Sequence, residues 1–280
     1  MDHISKKDLQ ITACKIRMGI IEAVHAAKSG HPGGSLSSAD ILTYLYFKHM
    51  NIDPKNPNKE DRDRFVLSKG HIAPGLYSTL ANRGFFPVEE LKNLRKIGSF
   101  LQGHPDKKGT PGVDMSSGSL GQGISCATGM ALSAKHFNNS FNVYAILGDG
   151  ECEEGQVWEA AMFAANKKLD NLVAVVDLNG LQIDGSLEEV NSPLPLDKKF
   201  EAFNWNVITI DGHDFDEIEE AFKKAAVKNG KPTVIIAKTV KGKGVSFMEN
   251  QVGWHGSAPN DEQYEQAMSE LKASLEELTK

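Results

Sequence analysis

The sequence contains little cysteine, no long apolar stretch and no basic excess. Its three cysteines, Cys14, Cys126 and Cys152, are odd in number, and no two are spaced like metal ligands or a redox pair. No apolar stretch approaches the roughly 20 residues of a membrane-spanning helix, and the polar start lacks the apolar core of a secretory signal. These absences favour a cytoplasmic protein whose thiols are reduced and mostly buried.

Charge and size narrow the class of protein further. A net charge of −6 argues against general nucleic-acid binding, which favours basic surfaces. Of the 280 residues, 40% are hydrophobic, which is enough for one large domain or two small ones. Because no repeat, low-complexity tract or linker interrupts the chain, we expect a single domain over residues 1–280, closed by a charged helix at 261–278.

Short apolar runs that end in glycine and polar residues recur along the chain. Five such runs predict strands at 64–68, 143–147, 172–176, 207–210 and 233–237. Helical periodicity is found at 8–29, 37–46 (with Ser37-Ser38 as N-cap), 73–83, 87–96, 121–136, 197–203 and 215–229, and an amphipathic helix lies between the second and third strands. This alternation predicts an α/β fold, a mostly parallel sheet with helices on both faces, whose carboxyl edge would hold ligands.

Asp149 and Asn179 follow two neighbouring predicted strands, 30 positions apart. Either residue alone would more often cap a helix or turn. Together, across one strand–helix–strand unit, they fit a metal–diphosphate site better, because the crossover rule brings both to the same sheet edge. Their oxygens suit Mg²⁺ or Ca²⁺ rather than zinc.

Other glycine-rich segments suggest binding groups at the same edge. The long, weakly periodic stretch 99–123 favours a functional loop. Lys241 follows a strand between tight-turn residues, whereas Lys238 and Lys243 fit a solvated charge run. The glycine-flanked histidines suit either a turn or a site. We expect His213 to be a turn residue beside Asp211 and Asp214. The remaining histidines are expected at the terminus or in packing: His3, His25, His49 and His136.

At this point the chain resembles a known family. The segment from Gly148-Asp149-Gly150 to Asn179 resembles the thiamine-diphosphate motif in the form that transketolases carry. Further segments are similar to transketolase segments in transketolase order: Ser29–Gly33, Phe65–His71, Gly103-His104-Pro105, Gly118–Gly123, Ile183-Asp184-Gly185, Ile210–Asp214 and Trp254-His255-Gly256. The resemblance covers about residues 10–260, and its ordered segments are far more specific than one Gly-Asp-Gly.

The resemblance implies thiamine diphosphate with Mg²⁺ as cofactors, Ca²⁺ and Mn²⁺ being alternative ions. The implied metal ligands are Asp149, Asn179 and the carbonyl of Leu181. The implied cofactor contacts are His71, Gly118, Ser119, Leu120, Gly150, Glu154, Asn179, Lys241 and His255. The implied catalytic histidines of the substrate channel are His31, His71, His104 and His255. Glu154 and Glu159 resemble acidic residues that communicate between paired active sites.

The chain departs from the family pattern at two positions and in its length. Leu178 stands where the family often has Asn or Asp, and Ser119 stands where it often has Pro. Single-chain transketolases are more than twice as long, and the domain that binds the aminopyrimidine has no counterpart here. The resemblance therefore implies half of an active site, completed by a C-terminal transketolase subunit.

We therefore expect the N-terminal subunit of a two-component transketolase. With its partner it would transfer a two-carbon ketol unit from a ketose phosphate to an aldose phosphate, as an assembly of two such chains and two partner chains. One alternative is the α subunit of another thiamine-diphosphate enzyme, of the 2-oxoacid dehydrogenase or deoxyxylulose-phosphate-synthase type. Another is a non-catalytic, transketolase-like binding module. No nucleic acid or membrane partner is expected.

Overall fold

Five parallel strands form one sheet in the computed structural model, which describes residues 4–280. The strands are β1 (Arg64–Leu67), β2 (Val143–Gly148), β3 (Leu172–Leu178), β4 (Asn206–Asp211) and β5 (Thr233–Lys238). Their spatial order is β1-β2-β3-β5-β4, and every neighbouring pair is parallel. The predicted parallel α/β fold is confirmed. The prediction for His3 lies outside the described residues.

Helices connect the strands and close the chain. They are α1 (Lys6–Ala27), α2 (Pro32–Ser37), α3 (Ala39–Tyr44), α4 (Ala73–Arg83), α5 (Gln122–His136), α6 (Gly155–Asn166), α7 (Leu187–Val190), α8 (Leu196–Ala202), α9 (Phe215–Ala225) and α10 (Asp261–Thr279). A π-helical turn at Leu45–His49 extends α3, and short 3₁₀ helices occur at Gly70–Ile72, Val88–Asn93, Gly150–Glu153 and Val252–Trp254. Within residues 4–280, no helix combines the length and hydropathy needed to cross a bilayer.

The two faces of the sheet pack into separate cores. In β2, Tyr144 and Ile146 face the core formed with α1, α3, α4 and α9. Ala145 and Leu147 of the same strand face the core formed with α5, α6 and α8. Because side chains alternate along a strand, burial of both faces requires continuous apolar runs. This is why the strands could be recognised from the sequence as unbroken hydrophobic segments, and it confirms helices on both faces.

Three predicted helices differ from the structure. The helix predicted to begin at Ser37-Ser38 begins earlier, at Pro32, and breaks at Ser38, which makes no side-chain cap bond. Both serine hydroxyls instead donate to Asp177, over 2.6 and 3.4 Å. The segment predicted as a helix at 87–96 is a 3₁₀ helix over Val88–Asn93, and the helix expected to reach residue 229 ends at Ala225.

A third core joins the two ends of the chain beneath the loop that follows β5. Ile16 and Ile20 of α1 pack with Leu271 of α10 and with Val245 and Met248 of that loop. The backbone from residue 239 to 250 is therefore wedged between the terminal helices and the sheet edge. This placement brings Lys241 to the carboxyl ends of the strands.

Candidate active site

A cavity of about 280 Å³ opens at the carboxyl edge of the sheet, where β1, β2, β3 and β5 end. Carboxyl edges of parallel sheets are where open α/β folds bind ligands. Its walls combine charged groups, glycines and imidazoles: His31, Gly34, Lys69, His71, Gly118, Leu120, Gly148, Asp149, Gly150, Glu151, Asn179, Leu181, Gln182, Ile183, Lys241 and His255.

Asp149 joins the ends of β2 and β3. Its carboxylate accepts hydrogen bonds from the backbone N–H of Gly150 (2.8 Å) and of Gly180 (2.6 Å). The side chain is buried. Burial and the nearby carboxylate of Asp177 raise the pKa of Asp149 to about 6, and the two hydrogen bonds oppose that rise. A cation beside such a carboxylate would stabilise its charged form, which is the form that binds a metal.

Asn179 lies beside Asp149 with its amide orientation set by neighbours. Its Nδ2 donates to Asp177 Oδ2 over 3.0 Å, and its Oδ1 accepts from the N–H of Leu181 over 3.2 Å. Within residues 4–280, no cluster of three or more His, Cys, Asp or Glu side chains is arranged to hold a metal. A cation here would therefore combine one carboxylate with amide, carbonyl and ligand oxygens, as Mg²⁺ does when it binds with phosphate.

Lys241 is buried at the same end of the cavity. Its ammonium donates to the carbonyl of Leu181 over 2.9 Å, and only 2% of the residue is exposed. Burial lowers the pKa of Lys241 to about 8, although nearby Asp149 opposes that shift. A mostly protonated ammonium with one carbonyl partner can still donate a hydrogen bond to a phosphate oxygen. Lys238, by contrast, is exposed, and Lys243 pairs loosely with Glu249 at 3.6 Å.

Three further buried side chains, which the sequence prediction missed, lie beside these residues: Lys69, Asp177 and Glu151. Lys69 forms an ion pair with Asp177, and both side chains are almost completely buried. Glu151 accepts hydrogen bonds from the N–H groups of Gly121 (2.9 Å) and Gly148 (3.0 Å) and from the Ser68 hydroxyl (2.5 Å). A lysine and two acids beside glycine at strand ends carry no distinctive spacing. The one sequence signal for Lys69 and Asp177 is that each lies at the end of a predicted strand.

Three of the four predicted histidines form a cluster in the wall of the same cavity. The ring centroids of His31, His71 and His255 lie 5.1 to 5.5 Å apart. Burial is the main cause that lowers their pKa values, to about 4 for His31, about 2 for His71 and about 3 for His255. All three imidazoles are therefore neutral at pH 7. The Nδ1 atoms of His31 and His255 are buried and have no hydrogen-bond partner within residues 4–280, as expected of groups that contact a ligand.

The glycine loop at 118–121 contributes to the cavity wall, and His104 packs against this loop. A Cβ added to Gly118 would lie 3.1 Å from the His104 ring, and the φ of +156° at this position favours glycine. His104 itself is exposed and does not line the cavity. Of the neighbouring loop residues, Leu120 lines the cavity, whereas Ser119 is exposed.

The two glutamates implied by the resemblance lie outside the cavity. Glu154 and Glu159 are exposed and belong to the start of α6 and its cap. Glu154 packs close to Gly121, whose φ of +80° suits glycine, and a Cβ there would lie 2.9 Å from Glu154 Cβ. The structure thus places Glu154 next to the glycine loop but away from the cavity wall.

One protein family matches the chain over nearly its whole length. The family described as transketolase, thiamine diphosphate binding domain, matches residues 9–276. The chain belongs to this family. The family expected from the ordered glycine and histidine segments is confirmed, and with it thiamine diphosphate as the cofactor that the family's domain binds.

Two relatives match over nearly their own whole length as well. The chain is 47% identical over 265 residues to the 6-deoxy-6-sulfo-D-fructose transketolase subunit SqwG of Clostridium sp. (strain MSTE9), covering 95% of this chain and 96% of that protein. It is 43% identical over 272 residues to one subunit of the apulose-4-phosphate transketolase of Phocaeicola vulgatus, covering 97% and 96%. The prediction of a transketolase subunit is confirmed at this level.

Other transketolases match only in part of their length. Mouse transketolase is 44% identical over 286 residues, which cover 98% of this chain but 44% of that protein. The crystal structure of transketolase from Campylobacter jejuni superposes with a TM-score of 0.90 at 35% identity, covering 98% of this chain and 46% of that one. The chain thus spans less than half the length of these transketolases.

Proposed function

We propose that this chain is the diphosphate-binding, N-terminal subunit of a two-subunit transketolase. With a partner that carries the pyrimidine-binding domain, it would transfer a two-carbon ketol unit from a ketose phosphate to an aldose phosphate. The observation that carries the proposal is one cavity lined both by the oxygen-bearing side chains of Asp149 and Asn179 and by the cluster of His31, His71 and His255. The two relatives named as transketolase subunits, matched over 96% of their lengths, support a separate partner chain.

The diphosphate end fits thiamine diphosphate with a divalent cation. Asp149, Asn179 and the Leu181 carbonyl would bind Mg²⁺, with Ca²⁺ or Mn²⁺ as substitutes, and the Lys241 ammonium that donates to this carbonyl here would then donate to the diphosphate instead. Gly150, Asn179 and Lys241 would contact the diphosphate, and the atom nearest to a Cβ on Gly150 would be Gln182 Cβ at 3.3 Å. When bound, the cofactor supplies the nucleophilic carbon that carries the ketol unit.

Other residues would contact the aminopyrimidine and the sugar substrate. Gly118, Ser119 and Leu120 would hold the aminopyrimidine, and His71 and His255 would contact the cofactor beside it. A neutral imidazole can accept a proton or donate a hydrogen bond to a sugar hydroxyl. His31, His71, His104 and His255 would therefore orient the sugar and move protons at its hydroxyl oxygens. Glu154 would reach the cofactor environment through Gly121, and with Glu159 would link paired sites.

We propose an assembly of two such chains and two partner chains, located in the cytoplasm. The free thiols of Cys14, Cys126 and Cys152 suit a reducing compartment. The substrate class is a ketose with an anionic end group, because both subunit relatives are named for such sugars, one a sulfonate and one a phosphate. Candidate donors are xylulose 5-phosphate, apulose 4-phosphate and 6-deoxy-6-sulfofructose.

The decisive experiment is an assay of the chain alone and with a co-purified partner. We expect ketol transfer only when both chains, thiamine diphosphate and Mg²⁺ are present. Each candidate donor is supplied in turn with an aldose phosphate acceptor, and pyruvate serves as the control donor. Strong ketol transfer by the isolated chain would contradict the two-subunit proposal, and acceptance of pyruvate alone would favour a 2-oxoacid enzyme.

A further inference from the structure

His213 is predicted from the sequence to be a turn residue beside Asp211 and Asp214, and its ring in addition connects three parts of the structure. It lies in the turn between β4 and α9, and its side chain is 14% exposed. Its Nδ1 lies 2.7 Å from Asp40 Oδ2 in α3. Its Nε2 accepts the backbone N–H of Val240 over 2.9 Å, in the loop after β5. The expected turn position beside Asp211 is confirmed, since the backbone N–H of His213 donates to Asp211 Oδ1 over 2.8 Å; the ring contacts are additional.

These partners determine which nitrogen carries the proton. The Val240 N–H is a donor, so Nε2 must be unprotonated, and Nδ1 must donate to the Asp40 carboxylate. Asp40 is buried, and Arg17 binds it with two hydrogen bonds of 3.0 and 2.5 Å. Although burial opposes ionisation, Arg17 and His213 lower the pKa of Asp40. The carboxylate therefore stays charged and holds the imidazole in one orientation.

The same network makes hydrogen bonds to the loop backbone on both sides of Lys241. His213 holds the N–H of Val240, and Arg17 Nε donates to the carbonyl of Lys243 over 3.1 Å. Between them, the N–H of Gly242 donates to the carbonyl of Gly33 over 2.9 Å. The loop backbone is thus restrained at three nearby points, while the Lys241 ammonium itself has its bond to the Leu181 carbonyl.

We propose that His213 is a positioning residue for Lys241. By accepting the Val240 N–H from outside the cavity, it fixes the backbone that aims the Lys241 ammonium at the diphosphate end of the site. The inference rests on the proposed role of Lys241 in diphosphate binding. His213 does not line the active-site cavity, so its effect on binding would pass through the loop.

Two substitutions separate the two nitrogens of His213. Glutamine places an acceptor oxygen near the position of Nε2, so H213Q keeps a partner for the Val240 N–H. Asparagine reaches only the position of Nδ1, so H213N keeps the Asp40 contact and loses the loop. H25N is the matched control, because His25 stacks on Tyr264 and pairs with Asp261 at 2.9 Å, away from the cavity.

The first measurement is amide hydrogen exchange of the full chain without ligand. We expect the Val240 amide to exchange at least about tenfold faster in H213N, while H213Q and H25N stay near the unmodified chain. Melting temperatures of all variants are compared in parallel. Unchanged exchange of Val240 in folded H213N would overturn the proposal.

The second measurement is a double-mutant cycle on thiamine diphosphate affinity, titrated at fixed Mg²⁺. We expect H213N to weaken binding about three- to tenfold, the value of one lost loop hydrogen bond. In the K241M background, H213N should cause no further loss, because its effect passes through Lys241. Losses that simply add would overturn the proposal, since a merely structural role would produce them.

The outcomes distinguish this inference from the function on which it rests. If K241M alone leaves the affinity unchanged, the assignment of Lys241 fails, and the positioning role fails with it. If K241M weakens binding but the H213N loss is additive, only the role of His213 fails. Should H213N not fold, H213Q decides: normal affinity with a protected Val240 amide supports the proposal, and weakened affinity with that amide still protected overturns it.

Discussion

Asp177 illustrates how single residues build this site without contacting a ligand themselves. Its carboxylate accepts hydrogen bonds from the Lys69 ammonium, the Ser37 and Ser38 hydroxyls, the Asn179 amide and the Thr239 hydroxyl. Although burial opposes ionisation, the Lys69 ammonium and these hydrogen bonds lower the pKa of Asp177 to about 2. The charged carboxylate accepts the Nδ2 group of Asn179, which fixes the orientation of an amide that lines the cavity.

The Lys69–Asp177 pair leads to a prediction at this scale. Replacing Lys69 by Met leaves a buried carboxylate without its cation, which should lower the free energy of unfolding by about 3–5 kcal/mol. Urea denaturation of both chains at pH 7 measures the change. Lys6→Met is the control, because the Lys6 pair with Asp216 is exposed and should matter little. A Lys69→Met loss no larger than that of the control would contradict the argument.

At the scale of elements, close backbone contacts decide where helix α5 can begin. A Cβ on Gly123 would lie 2.5 Å from Ser68 Cα, in the segment after β1. The glycine lets the helix start approach the sheet edge, so the Gly118–Gly121 loop is carried to the cavity. Gly129, further along the same helix, has open space around it, and an added Cβ would meet nothing within 4 Å.

These two glycines give a matched prediction for α5. Gly123→Ala should destabilise the protein by about 1–3 kcal/mol, because a backbone contact cannot yield to the added methyl group. Gly129→Ala should instead stabilise it by about 0.5–1 kcal/mol, since alanine is the better helix former and the space is open. Thermal or urea unfolding compares the two variants. Equal changes of the same sign would refute the packing account.

The π-helical turn after α3 gives a second prediction for an element. Its His49 packs among Tyr44, Tyr144 and Phe222, and burial lowers the pKa of His49 to about 4 from 6.5. The unfolded chain therefore binds the proton more tightly. The contribution to stability is complete above pH 6.5 and declines as the pH falls to about 4, by up to roughly 3 kcal/mol.

A His49→Phe variant separates the contribution of His49 to the pH dependence of stability from that of the other buried histidines. Over the same pH range, His49→Phe should lose less stability than the unmodified chain, even if the variant is weaker at pH 7 because the Tyr144 hydroxyl loses its 2.9 Å partner. Urea unfolding at pH 7, 6, 5 and 4.5 supplies the comparison. Parallel pH curves for both chains would show that His49 does not contribute.

At the scale of the whole molecule, the cavity draws on segments from both halves of the chain. His31 comes from the first connection, Asp149 from the end of β2, and Lys241 and His255 from the loop before α10. Cofactor binding at such a site should stabilise the folded chain as a unit, because the segments are in place only when the fold is complete.

We therefore predict that thiamine diphosphate with Mg²⁺ raises the unfolding free energy by about 2.7 kcal/mol when the cofactor is present at 100 times its Kd. Chelation of the metal should reverse the gain. Asp149→Asn should fold but show no Mg²⁺-dependent stabilisation, whereas Asp53→Asn, at an exposed position, should behave as the unmodified chain. An undiminished gain in Asp149→Asn would refute the metal assignment.

The strands, the parallel sheet and the family could be predicted from the sequence by itself. Strands buried on both faces appear as continuous apolar runs, and parallel strands connected by helices must bring their carboxyl ends to one edge. That rule sufficed to place Asp149 beside Asn179. Glycines such as Gly118 could be predicted as site residues too, because a ligand that approaches the backbone closely leaves no room for a side chain.

Only the tertiary structure could decide which distant groups share a partner. The bonds of Asp177 to Ser37 and Ser38 span 140 and 139 positions, and that of His213 to Asp40 spans 173. No local pattern encodes such pairs, because hydrogen-bond partners are chosen by packing. For the same reason, Ser37-Ser38 resembled a helix cap although both hydroxyls donate to the buried Asp177, and the turn position of His213 gave no sign that its ring accepts the N–H of Val240.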